Sequence, residues 1–350
     1  MMKEGSVYLQ GSWWCLNPSS LMDLKEAVIE PWELELVKAM ELWWNSEPTM
    51  SIRTSGSTGN PKPIQLAKAA MEASAKRTID YFEVSPGSKA GLALPVTSIA
   101  GMMMLVRAII GRWDLVVSKP AIHATFNADE LDFVALTPIQ AQTIEQEDPV
   151  QWKSFKTVLI GGGSPNNRWL SQLSGETRVF ESFGMTETIS HLALRQLYPL
   201  REPNFRCLPG FAVRTNSQGV LNIRTPDGQE FITRDVVQCQ DDHSFIWLGR
   251  MDDVINSGGL KIHPEAVEMG LQAIINQPFR CFGVPDADWG QVVAIRIHSE
   301  EVPHDWEEQK RFIESWSRDN LPKHHAPKVI EWAPLEQSWT GKWKRPRNHN

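Results

Sequence analysis

Cysteine is scarce in this chain of 350 residues. Cys15, Cys207, Cys239 and Cys281 are scattered, and no pair has the C-x-x-C spacing of a structural zinc site or a disulfide framework. That usage fits a reducing compartment. Long apolar runs are also missing. No stretch approaches the roughly 20 apolar residues that a membrane span needs, and the N-terminal MMKEGSVYLQGSWW has no basic segment followed by an apolar one. The expected location is cytoplasmic. Nor is there an excess of positive charge. The 35 Lys and Arg stand against 42 Asp and Glu, giving a net charge of -7 and a pI near 5.8. Such a balance presents no electrostatic footprint for nucleic acid or an anionic membrane. Tyrosine is rare too, with three residues beside fifteen Trp, and no physical account of that ratio is apparent.

What remains is ordinary globular composition, with 41% hydrophobic and 22% charged residues. The length predicts two domains. Between Leu21 and Trp44 apolar residues recur at helical spacing, broken at Pro31, which predicts two successive helices. MSIRTSGSTGNPKPI then reads as a strand feeding a long loop. Short strand-like runs follow (LALP at 92–95, DLVV at 114–117, FVALT at 133–137, TVLI at 157–160), alternating with helical stretches over 68–82, 99–110, 138–146 and 166–173. This alternation predicts an α/β fold whose sheet is mostly parallel and covered by helices. After about residue 205, turns at NSQG, PDGQ and DDHS separate short alternating segments, as in an antiparallel β subdomain over about 205–248. Beyond GRMDD come a helix from Pro264, strands around RCFGV and QVVAIRIHS, and a helix over 305–318. The expected organisation is a large domain over 1–250 and a small α/β domain over 251–350. There is no internal repeat or low-complexity segment.

Three segments carry candidate chemistry. Thr54, Ser55, Gly56, Ser57, Thr58, Gly59, Asn60, Pro61 and Lys62 have what a polyphosphate cradle requires: glycines that let N–H groups approach, hydroxyl donors and a point charge. This is not a Walker loop, because Lys62 lies between Pro61 and Pro63. A plain Ser/Gly surface loop has the same composition. Gly161, Gly162 and Gly163 follow the apolar TVLI, where a bare backbone admits a flat ring or simply makes a tight turn. In SFGMTET, Thr186 and Glu187 pair a hydroxyl with a carboxylate, suited to a phosphate oxygen and a magnesium ion, or else to a helix cap.

TSGSTGNPK resembles the phosphate-binding signature of the adenylate-forming superfamily of acyl-CoA synthetases, adenylation domains and luciferases. The superfamily's other motifs follow in order: GGGSP at 161–165, SFGMTET at 182–188, Asp235 in TRD, GRMDDVINSGGLKIHPEAVE at 249–268 and TGKWKR at 340–345. The resemblance covers about residues 50–346. It implies a large N-terminal domain and a small mobile C-terminal one, with ATP, Mg2+ and coenzyme A as reactants. It further implies that Thr54 to Lys62 hold the leaving pyrophosphate, with Lys62 catalytic, and that Gly161 to Gly163 with Ser182, Phe183, Gly184 and Met185 bind ATP. Thr186 would hold a phosphate oxygen and Glu187 the metal. Asp235 and Arg250 would take the ribose, Asp252 would be the hinge, and Lys342 would bridge the carboxylate and the α-phosphate. Two departures stand out. Arg234 occupies a place where the superfamily usually has Gly. Only about 50 residues precede the phosphate loop, where typical members carry a further α/β subdomain. A truncated N-terminal subdomain would expose a normally covered face and favour a homodimer.

For the acid, LPVTSIAGMMMLVRAII puts Arg107 on an otherwise apolar helix, where a guanidinium needs an anion partner. That partner is a bound carboxylate, a structural Asp or solvent. The stretch, with SFGMTETISHLALR, resembles the o-succinylbenzoate:CoA ligases of menaquinone synthesis. The resemblance implies that Arg107 anchors the carboxylate that is not activated, that Met102 to Met104 and Ile189 face the ring, and that His191 lines the same pocket. A satisfied structural histidine is the plainer reading of His191. Two other functions share these motifs: loading an aryl or amino acid onto a carrier-protein thiol, and a catalytically idle nucleotide-binding role.

Overall fold

A computed structural model describes residues 4–53, 63–337 and 343–346. The expected phosphate loop from Thr54 to Lys62, and Lys342, lie outside the described residues. The chain divides into two compact units, one of Met1–Pro165 with Leu173–Gly210 and one of Asn166–Gln172 with Phe211–Asn350.

The first unit contains β1 (Ser6–Leu9), β2 (Ser12–Cys15), α1 (Leu21–Ala27), α2 (Pro31–Trp44), β3 (Thr49–Arg53), β4 (Pro63–Ala67), α3 (Lys68–Phe82), β5 (Lys89–Leu92), α4 (Ile99–Gly111) and β6 (Asp114–Val117). It continues with β7 (Phe133–Leu136), α5 (Pro138–Glu147), α6 (Pro149–Lys153), β8 (Thr157–Ile160), β9 (Arg178–Gly184), β10 (His191–Tyr198) and β11 (Phe205–Cys207). Its strands run in the order β11-β10-β9-β8-β7-β5-β6-β1-β2. Six of them, from β9 to β1, are parallel, while β2, β10 and β11 join antiparallel. Every residue of β7 and β8 is buried, as a parallel sheet covered on both faces requires. Pro138 at the first position of α5 and the Thr137–Gln140 capping box show why that helix begins where it does. Phe82 packs on Phe133 and Phe180 at centroid distances of 5.1 and 5.0 Å, which places α3 against the sheet. β3 and β4 form a separate hairpin, Ile52 opposite Ile64, that brackets residues 54–62.

The β1–β2 hairpin has no counterpart in the sequence reading. Its turn places Gln10 and Gly11 at φ of 50° and 76°, and Gln-Gly is not among the dipeptides that announce such a turn. The expected strand at 92–95 instead ends at Leu92, before Pro95, which has no ladder N–H to give.

The second unit holds α7 (Asn167–Gln172), β12 (Ala212–Thr215), β13 (Val220–Arg224), β14 (Glu230–Asp241), β15 (Ser244–Arg250), β16 (Ile255–Ser257), β17 (Leu260–Ile262), α8 (Pro264–Leu271), β18 (Phe279–Asp286), β19 (Gly290–Ile297), α9 (Trp306–Asn320) and β20 (Val329–Trp332). β12 to β15 are an antiparallel meander. Its first turn is closed by Asn216, whose side chain accepts from the Gln218 and Val220 amides, and Gly219 and Gly228 supply the positive φ. β16 to β20 form a small mixed sheet around Ile262, Val267, Leu271, Val293, Ile295 and Ile313. The grouping keeps the meander with the C-terminal elements. The expected boundary at 250/251 falls within the second unit, between β15 and β16.

Candidate active site

In the first unit, β8 and β9 run parallel with Ile160 beside Glu181, and both end on the same side of the sheet. Ligands of open α/β sheets bind beyond such carboxyl ends. Gly161 to Gly163 continue from β8. A Cβ on Gly161 would lie 3.2 Å from Ser182 Oγ, and Ser182 Oγ donates to Ile160 O at 2.9 Å. A side chain at Gly161 would therefore press on Ser182.

β9 ends at Gly184, and a single 3₁₀ turn over Thr186–Thr188 leads into β10. A Cβ on Gly184 would sit 2.3 Å from Ser190 O and 2.4 Å from His191 Cα, so a side chain there is incompatible with the return of the chain. Thr188 is buried and holds the turn, its hydroxyl lying 3.0 Å from Met185 O and 2.9 Å from Ser190 O. Ile189 adopts φ 69° and ψ -52°, a strained conformation for a β-branched residue. The turn leaves Thr186 half-buried and Glu187 exposed, so hydroxyl and carboxylate remain available to a ligand.

Behind this turn lies a buried polar cluster. Arg107 on α4 is 3% exposed. Its Nε donates to Thr78 Oγ1 on α3 at 3.2 Å, and its Nη2 donates to Ser190 Oγ at 3.3 Å and faces His191 Nδ1 at 3.5 Å. Ser74 Oγ lies 3.0 Å from Ser190 Oγ, and His191 Nε2 lies 3.2 Å from Thr78 Oγ1. Thr78 donates its own hydroxyl to Ser74 O at 3.1 Å, so it accepts from both Arg107 and His191. A guanidinium only donates, which puts the His191 proton on Nε2. Burial, followed by the charges of Arg107 and Arg77, pushes the His191 pKa well below its usual value, so the ring is neutral. For Arg107, burial lowers the pKa from its usual high value to about 9, with no compensating carboxylate among the described residues. The guanidinium is still charged at neutral pH and is braced entirely by neutral groups.

His191 thus supports Arg107 through both ring nitrogens. Met102 to Met104, expected to face a ligand ring, are fully buried here. Sequence reasoning missed Ser74, Thr78, Thr188 and Ser190. The first two have no motif, and only the helical spacing of Ser74 and Thr78 hints that they share a face.

In the second unit, Asp235 and Arg250 are cross-strand partners on β14 and β15. Asp235 is 7% exposed. Its Oδ1 accepts from Trp247 Nε1 at 3.0 Å, its amide donates to Thr233 Oγ1 at 2.9 Å, and its Oδ2 stands 3.7 Å from Arg250 Nη1. Trp247, unnoticed in the sequence, fixes the carboxylate so that one oxygen remains for a hydroxyl donor. Arg234 meets both oxygens of Asp252 at 3.1 Å, and Arg250 Nη2 reaches Asp252 Oδ2 at 3.7 Å. The side chain that departs from the superfamily pattern therefore holds the residue expected to be the hinge.

Residues 19–226 match the family described as AMP-binding enzyme. The chain belongs to that family. The matched segment contains the turn with Thr186 and Glu187 and the Arg107 cluster, while Asp235, Arg250, Asp252 and Lys342 lie beyond it. A solved acyl-CoA synthetase (AMP-forming)/AMP-acid ligase II-like protein from Dyadobacter fermentans is 33% identical, with 91% of this chain and 93% of that chain covered and a TM-score of 0.60. The 2-succinylbenzoate–CoA ligase of Bacillus cereus is 26% identical over 80% of this chain and 68% of its own. A probable 2-succinylbenzoate–CoA ligase of Mycobacterium tuberculosis is 29% identical over 72% and 71%. The o-succinylbenzoate CoA synthetase of Bacillus subtilis, solved with its acyl-adenylate, has a TM-score of 0.70 at 20% identity over 84% of this chain and 67% of that one, a likeness of fold. The AMP-binding enzyme described here thus has the adenylate-forming fold.

Magnesium in nucleotide sites takes one or two protein carboxylates together with phosphate oxygens and water. The exposed Glu187 beside Thr186 fits that donor set. No group of three or more His, Cys, Asp or Glu among the described residues is arranged to hold a metal ion unaided, so the ion's remaining ligands would come from the nucleotide.

Proposed function

We propose that this enzyme is an ATP-dependent acid–coenzyme A ligase whose acid is o-succinylbenzoate. The observation that carries the choice of acid is Arg107, a buried guanidinium with neutral neighbours beside Ser190 and His191, directly after the turn that displays Thr186 and Glu187. A buried charge without a counter-charge favours an anionic ligand, and a diacid with one carboxylate to activate leaves the other for this anchor. The names of the Bacillus cereus and Mycobacterium tuberculosis relatives support the same acid.

In this reading the acid's free carboxylate attacks the α-phosphate of ATP, forming acyl-adenylate and pyrophosphate, and the coenzyme A thiol then attacks the acyl carbon, releasing AMP. Thr186 donates to a phosphate oxygen, and Glu187 would hold magnesium, which supplies charge neutralisation. Asp235, oriented by Trp247, accepts from the ribose hydroxyls with Arg250 beside it. Thr54 to Lys62 and Lys342 keep their expected roles with pyrophosphate and the reacting phosphate. Rotation about Asp252 separates the two half-reactions.

The test is pyrophosphate release with Mg-ATP and coenzyme A over a panel of carboxylic acids. Selective turnover of o-succinylbenzoate supports the reading. Turnover of a monocarboxylate of similar size at equal efficiency removes the anchor argument, and turnover only with a carrier-protein thiol removes coenzyme A.

A further inference from the structure

In the first unit, the two segments expected to bind ATP, Gly161 to Gly163 and Ser182 to Met185, are braced by one guanidinium. Glu181 precedes Ser182 on β9, beside Ile160 at the end of β8 and opposite Arg195 on β10. It is 4% exposed. A carboxylate so deeply buried needs donors for both of its oxygens, and two different stretches of chain supply them. Ser164, directly after the three glycines, donates its hydroxyl to Glu181 Oε1 at 2.5 Å. Arg195 Nε donates to Oε2 at 2.7 Å, and its Nη2 stands 2.6 Å from the same oxygen.

Arg195 has a second set of neighbours. Its Nη1 donates to Pro203 O at 3.2 Å, and its guanidinium lies over the Phe205 ring on β11 at 4.5 Å. Phe205 packs in turn on Phe183, with ring centroids 5.5 Å apart. Residues two apart on a strand share a face, so Glu181 and Phe183 meet Arg195 and Phe205 from the same side of β9. The guanidinium therefore reaches the glycine segment through Glu181 and Ser164, and reaches Phe183 through Phe205. A buried ion pair adds little net stability compared with apolar packing, but its bonds are directional. What it supplies is a defined position.

We infer that Arg195 is a positioning residue for the nucleotide: through Glu181 and Ser164 it orders Gly161 to Gly163, and through Phe205 it sets the Phe183 ring, so that both segments are in place before ATP arrives. Consecutive glycines have the most backbone freedom to lose, and a loop ordered in advance loses less binding energy to its own ordering. The inference rests on the proposed binding of ATP at these two segments and adds to it the residue that holds them.

The experiment uses the full chain and reads Mg-ATP binding without acid, KM for each substrate, amide exchange over 161–164 and the urea midpoint. Ser164→Ala cuts only the link to the glycine segment. It is expected to weaken Mg-ATP about tenfold, as for one hydrogen bond to a charged group, to speed exchange over 161–164 and to leave KM for the acid within about threefold. Ser164→Thr keeps the hydroxyl and is expected to bind Mg-ATP within about threefold of the parent. Arg195→Met releases both segments and is expected to weaken Mg-ATP about 100-fold. If that variant does not fold, Arg195→Lys, which returns the charge without the fork, must weaken Mg-ATP about tenfold. Because the guanidinium acts on the glycines through Glu181, adding Ser164→Ala to Arg195→Lys must cost less than the product of the two single effects. Unchanged Mg-ATP affinity in Ser164→Ala, independent effects in the double variant, or a lowered urea midpoint with unaltered affinity overturns the proposal. A parent that binds Mg-ATP but turns over no acid refutes the proposed function, and the binding measurements still decide the role of Arg195. A parent that binds no Mg-ATP refutes both.

Discussion

Replacing Arg107 with methionine is expected to make the unliganded enzyme more stable while removing its grip on a dicarboxylate. The buried guanidinium is charged, and burial brings its pKa down from the usual arginine value to about 9. At about 1.4 kcal/mol per pKa unit this sets a ceiling of about 5 kcal/mol on the cost of burying that charge. Methionine removes this cost but withdraws a donor from Thr78 Oγ1, Ser190 Oγ and His191 Nδ1. Each hydrogen bond lost costs about 1 kcal/mol, or about 3 kcal/mol together. The balance is a gain of at most about 2 kcal/mol, which calorimetry would read as a rise of up to about 4–6 °C in the thermal midpoint. Function moves the other way. Loss of a charge-assisted contact to the second carboxylate is worth about 3 kcal/mol, so KM for o-succinylbenzoate should rise about 100-fold with little change in KM for ATP. A variant that is less stable than the parent and keeps its KM for the acid would show that Arg107 is a structural charge, and the anchor reasoning would be wrong.

Gly184→Ala should destabilise the first unit by about 2–4 kcal/mol in urea denaturation, because the new methyl meets backbone atoms of Ser190 and His191 that have no rotamer to yield. An unchanged midpoint would refute the close approach. Trp247→Phe removes the donor that orients Asp235 and should raise KM for ATP about tenfold with a smaller effect on kcat; an unaltered KM would detach Asp235 from the nucleotide. Glu265 has its pKa raised from 4.5 to about 7, since burial of its carboxyl outweighs the pull of Arg345; its Oε2 is buried without a partner among the described residues and would lie 2.2 Å from a Cβ on Gly249. The folded state therefore holds this proton more tightly than the unfolded chain, and stability is lost as pH rises from about 4.5 to about 7, by at most about 3 kcal/mol. Glu265→Gln should flatten that part of the stability–pH curve; a curve that superimposes on the parent's would place the proton elsewhere.

Much of this enzyme is legible in its sequence, for reasons that are local. The parallel strands at Phe133–Leu136 and Thr157–Ile160 are apolar throughout because both faces are covered, and the turns at Asn216–Gly219 and Asp227–Gly228 identify themselves by residues that tolerate positive φ. Thr186 and Glu187 stand out in the sequence as a hydroxyl beside a carboxylate, whereas Asp235 and Arg250 are marked there only by the resemblance of TRD and GRMDD to superfamily motifs. The tertiary structure decided what those spacings cannot express. Thr78 and Arg107 are 29 residues apart and Ser190 a further 83, yet they form one buried cluster. Trp247 finds Asp235 through strand register, and Arg345 gathers carboxylates from positions 253, 265 and 268. Periodicity and motif report what a residue does to the backbone near it. The partner of a buried charge is chosen by whichever distant element the packing brings to it, because desolvation makes any other arrangement too costly.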